Sequence, residues 1–160
     1  MTEAADWPRL ANALRELHRV LMEVVRREYE RAHLTELGAG ELLQLLTTAP
    51  EFAWLRALSE LMVDLDFVRE AAPAAHADTA SVARGSVEHL LSNAENPASE
   101  FARRYWAYVH AEPRVAMAHA AVKQALSGWP SADMDAATLL AERHRLTEKA
   151  RHLAKPKPSS

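Results

Sequence analysis

Cysteine is absent from the 160 residues, which excludes disulfides, thiolate metal sites and cysteine nucleophiles together and suits a reducing compartment. Isoleucine is also missing and valine occurs only ten times, so the β-branched residues that favour strands are scarce. The four glycines are scattered; they are too few for a series of tight hairpins and none forms a phosphate-cradling loop. No run approaches the roughly 18 apolar residues needed to span a bilayer. The opening MTEAADWP is acidic and lacks the apolar stretch of a secretory signal. These absences lead us to expect a cytoplasmic protein with no membrane partner. The net charge of −3 gives no basic face, so no nucleic-acid partner is expected either.

What the chain does contain is alanine, 32 residues of it, and leucine, both of which enter helices at little cost. The expected class is all-α: an antiparallel helical bundle of four to six helices, forming one domain over residues 1–154 with a disordered, proline-broken tail over 155–160. Asp6 and Pro8 mark a helix start. Leu10, Leu14, Leu17, Leu21 and Val24 then recur at helical spacing, to about His33 or Leu34. A short helix follows near Glu41–Leu46; its leucines lie on most sides, which predicts burial. Pro50 precedes a third helix over about Glu51–Glu70, with Trp54, Leu55, Leu58, Leu61, Met62, Leu65 and Val68 as its stripe. Residues Ala71–Ala80 read as a loop. A helix resumes near Ser81, and Asn96-Pro97 announces another carrying Phe101, Tyr105 and Tyr108. Pro113 separates that one from a helix with Val115, Ala118, Val122 and Leu126 inward, closed by Gly128. The last helix starts after Asp133 or Asp135 and turns Leu139, Leu146, Ala150 and Leu153 inward.

Catalytic patterns are missing. There is no HExxH and no GxSxG elbow, and a single Glu-x-x-His, Glu30 with His33, cannot build a carboxylate-bridged metal pair. No cofactor is therefore expected. His144, Glu148 and His152 are spaced for one helix face, but that face lies opposite Leu146 and Ala150 and reads as solvated. His119 falls on the inner arc of its helix, where an imidazole must find hydrogen-bond partners. His18 flanks the Leu14/Leu21 stripe and Asp66 flanks Leu58/Met62/Leu65, which predicts a structural His–Asp pair between antiparallel helices. Glu28 falls almost in the centre of the first helix's stripe, one turn beyond Val24, where local exposure is expected over burial with a partner. Trp106 lies off its helix's inner arc beside Arg103, with the composition of an interface centre.

The stretch Pro50–Asp66, PEFAWLRALSELMVDLD, resembles a segment of small all-helical proteins of proteobacteria. Tyr108–Leu126, with its Glu-Pro turn and the run RVAMAHAAVKQAL, is similar to a later part of the same group. The resemblance implies a bacterial helical protein and carries over no activity or functional residue.

Two functions are expected from different classes. The first is a non-enzymatic helical module that binds a protein partner or itself, as a homodimer on Trp106. The alternative is a bundle that holds a small ligand or a metal through the core-facing His18, Asp66 and His119. Convergence of those three on one cavity would favour the second.

Overall fold

The Asp6 carboxylate accepts the backbone N–H of Arg9 at 3.1 Å and Pro8 occupies the first turn, which starts a helix of 27 residues. The computed structural model describes residues 5–71, 78–92 and 99–154. Within them the chain forms α1 (Trp7–His33), α2 (Ala39–Thr48), α3 (Pro50–Ala53), α4 (Arg56–Ala71), α5 (Asp78–Leu90), α6 (Glu100–Ala111), α7 (Pro113–Leu126) and α8 (Ala136–Ala154). The all-α class holds, with no strand among the described residues. The helices exceed the expected four to six, since seven have ten residues or more and α3 adds a single turn. No helix among the described residues is long and apolar enough to cross a membrane.

The stripe of α1 is buried as its periodicity predicts: Leu10, Leu14, Leu17, Leu21 and Val24 all lie inside. Its main neighbour is α7. Trp7 meets Trp129, just past the end of α7, edge-on at 4.9 Å, while Glu23 pairs with Arg114 at the start of α7. The two helices therefore run antiparallel. The same test applies to α1 and α4: Tyr29 lies against Phe52, His18 against Ser59, and Trp7 packs near Val68, again antiparallel. Helix α8 packs on α4 and α5. Val68, Val82 and Leu146 form a small cluster there, and Arg143 of α8 pairs with Asp64 of α4 at 3.0 Å. Trp7 touches both this cluster and the main core.

Four sequence expectations need correction. Helix α2 is not tucked inside: it has no buried residue, and Leu43 is 65% exposed. The third helix is not continuous. The indole N–H of Trp54 donates to the carbonyl of Glu51 at 3.0 Å, the group that the amide of Leu55 would use in an unbroken helix. Leu55 N–H turns instead to Phe52 O, and the resulting bend separates α3 from α4 while Phe52, Trp54 and Leu55 are all buried. Helix α5 begins at Asp78, ahead of the expected Ser81. Leu153 is 65% exposed rather than inward, because it lies beyond the part of α8 whose inner face, Leu146 and Ala150, is covered. The Asn96-Pro97 start, most of the 71–80 loop and the 155–160 tail lie outside the described residues; α6 itself is capped by Ser99, whose hydroxyl accepts Ala102 N–H.

Candidate functional site

Antiparallel α1 and α4 present a shared groove. On α1 it is lined by Trp7, Leu10, Ala11, Leu14, Arg15 and His18, and on α4 by Ser59, Met62, Val63, Leu65, Asp66 and Arg69. The α1 positions follow the three- and four-residue spacing of one helix face. The eleven steps from Trp7 to His18 at 1.5 Å rise make the groove about 16 Å long. The pocket within it has a volume of about 280 Å³. Its deeper walls, Leu10, Leu14 and Leu65, are buried, whereas Val63, Arg15, Asp66 and Arg69 are exposed along the mouth.

His18 sits at one end, its Nε2 3.0 Å from Ser59 Oγ. Burial holds its pKa below the ordinary histidine value. Asp66 lines the same pocket but does not pair with His18. It lies two turns along α4 from Ser59, and in an antiparallel pair those two turns carry it about 10 Å away, toward the Trp7 end. The expected His–Asp pair is thus replaced by a His–Ser pair. Serine gives no periodic signal, and Ser59 was not legible in advance; nor were Arg15 and Arg69, which have the look of ordinary surface residues.

A hydroxyl beside an imidazole invites comparison with a nucleophile and its base. The remaining parts are missing among the described residues. No carboxylate orients His18 Nδ1. The backbone N–H of Ser59 donates to Leu55 O, just before α4, so it is not free to stabilise an oxyanion.

His119 lies elsewhere. It lines a second pocket with Val87, Leu91, Trp106, Val122 and Lys123, of about 250 Å³. Its Nδ1 is 2.7 Å from Tyr105 Oη, which satisfies a phenol that is wholly buried. Burial pushes the Tyr105 pKa up, and burial followed by the Lys123 charge pushes that of His119 down. The three residues expected to face the core therefore do not converge: His18 and Asp66 share one groove, where Asp66 is exposed rather than core-facing, and His119 belongs to another. Trp106 is half-buried beside it. Its indole N–H donates to Ser92 O and its ring meets His119 edge-on at 5.0 Å, so this aromatic is engaged by its own chain, by the end of α5 and by α7.

The other flagged residues have local roles. Glu28 is exposed and accepts the Tyr108 hydroxyl at 2.6 Å. Glu30 accepts Leu37 N–H and pairs with Arg26, whose guanidinium also reaches Leu37 O; these bonds tie down the turn after α1. His144, Glu148 and His152 are exposed, and no group of His, Asp and Glu among the described residues is placed to hold a metal. No family model, curated protein or solved structure matches this chain.

The two half-buried histidines give a definite pH response. Their folded pKa values lie below the unfolded one, so the unfolded chain binds protons first on acidification. Stability is full above about pH 6.5 and falls as pH drops through the folded values. Urea midpoints measured between about pH 7 and pH 5 should decline, and the His18→Gln/His119→Gln double variant should show a flatter curve. A wild-type midpoint that is constant or rises on acidification would contradict neutral, buried imidazoles.

Proposed function

We propose that this chain is a non-enzymatic helical module that holds a small apolar ligand in the groove between α1 and α4. The observation that carries the reading is the make-up of that pocket: walls of Trp7, Leu10, Leu14, Met62 and Val63, a polar His18–Ser59 end and charges confined to the mouth. Small-molecule sites characteristically combine apolar walls with a few placed polar groups. Methionine at the wall adapts to the shape of an occupant. A reducing, cytoplasmic setting suits a chain without cysteine. A protein partner or a second copy seated on Trp106 is the competing reading; it has less support, because that indole is bonded and packed within its own chain.

Trp7 lines the pocket and serves as its reporter. Titration with decanol should produce a saturable change in tryptophan emission and a rise in Tm, since a ligand that binds only the folded state stabilises it. Ala11→Phe, at a partly exposed position on the groove wall, should fill the space and abolish both effects while the circular dichroism spectrum stays helical. Absence of saturable binding, or equal binding by Ala11→Phe, would refute the groove as the ligand site.

A further inference from the structure

We infer that the ligand of this groove is an acid, an apolar molecule ending in a carboxylate, which rests on the reading of the groove as a ligand site. The charges at the mouth are two guanidiniums, Arg15 and Arg69, and one carboxylate, Asp66. Among the described residues nine of the fifteen arginines pair with an acid, for example Arg19 with Glu16, Arg27 with Glu23, Arg84 with Glu88 and Arg104 with Glu100. Arg15 and Arg69 belong to the remainder, with Arg9, Arg31, Arg56 and Arg103, and they are the two of that remainder that line the groove. Neither forms an ion pair among the described residues, and Arg15 is hydrogen-bonded only to the neutral side chain of Asn12. Asp66 offsets one of the two charges, which leaves a net positive mouth above an apolar trough.

An alkyl chain laid between α1 and α4 would cover the exposed edge of Val63 and the half-exposed Met62, and its end group would lie along the mouth between Arg15, one turn from His18, and Arg69, toward Trp7. A carboxylate there gains charge-assisted hydrogen bonds from guanidinium donors. An ammonium would meet net repulsion. A hydroxyl would gain neither the attraction nor the penalty. His18, one turn from Arg15 on α1, is already bonded to Ser59, and burial lowers its pKa, so it adds no further cation near pH 7.

The test compares decanoate, decanol and decylamine on the intact protein at low salt, read by tryptophan emission and by Tm. Decanoate should bind roughly two- to fivefold more tightly than decanol, the upper part of the range that exposed pairs of this kind supply, and decylamine should bind most weakly. Added salt should erode the preference for the acid. The Arg15→Gln/Arg69→Gln variant should abolish the preference for decanoate over decanol. Equal binding of acid and alcohol, or tighter binding of the amine, would overturn the acid assignment while the groove stands. If none of the three binds, the groove reading falls and the acid assignment falls with it.

Discussion

Leu58→Ala should lower the stability of the fold by about 2–5 kcal/mol. Leu58 has no exposed surface and lies on the α4 face that meets α1, in the main core with Leu17, Leu21 and Leu61. Removal of its isobutyl group loses the transfer free energy of the deleted carbons. It also leaves a cavity that the rigid helices on either side close only in part. Leu43→Ala is the matched control: the same atoms are deleted at a site that is 65% exposed, and the change should stay within about 0.5 kcal/mol. Urea unfolding followed by circular dichroism measures both. Equal, small losses at the two sites would mean that α4 does not present this stripe to the core.

Gly85→Val should cost about 1–3 kcal/mol, even though it removes a glycine from a helix interior. The cause is the approach of α8. A Cβ at Gly85 would stand 2.7 Å from Leu139 Cδ2 and 3.1 Å from Ala132 Cβ, so the two extra methyl groups of valine have no space. Gly85→Ala should be milder. Its gain in helix propensity, about 1 kcal/mol, opposes the push against Leu139, whose side-chain tip can move. The contact is identified by a double variant: Gly85→Val combined with Leu139→Ala should be less destabilising than the sum of the single changes. Strict additivity in urea midpoints would show that Leu139 is not the group obstructed.

The inner faces of α1, α4 and α7 were readable from the sequence because a helix encodes its buried side in its own spacing, and Asp6 and Pro113 mark starts with local chemistry. Whether a short segment is covered depends on what lies opposite it. Four leucines in α2 therefore suggested burial, and the fold leaves that helix at the surface. The break between α3 and α4 was hidden for a related reason: it hinges on where one indole points, which residue spacing does not encode. His18 and His119 stood out as polar residues on or beside inner arcs, and both are half-buried. Their partners, Ser59 and Tyr105, come from other helices. Pattern reading finds the group in need of a partner and cannot assign the partner. Arg15 and Arg69 were missed because an exposed arginine on a helix is unremarkable until the shape beside it is known.

The packing of α1 on α7 also sets an order of assembly. The helix that α1 contacts most extensively begins at Pro113, well beyond α4 and α5. On a ribosome, α1 emerges early with a complete apolar stripe, and the surface that covers most of it is synthesised much later. Until then the main cover available to the stripe among the described residues is α4, with a smaller share from α3. Contacts of such long sequence separation are costly to close and form late. In the interval, exposed leucines on α1 are a hazard for association between unfinished chains. The Trp7–Trp129 contact, which joins the start of α1 to the residue after the α7 terminal turn, can form only once that long circuit is complete.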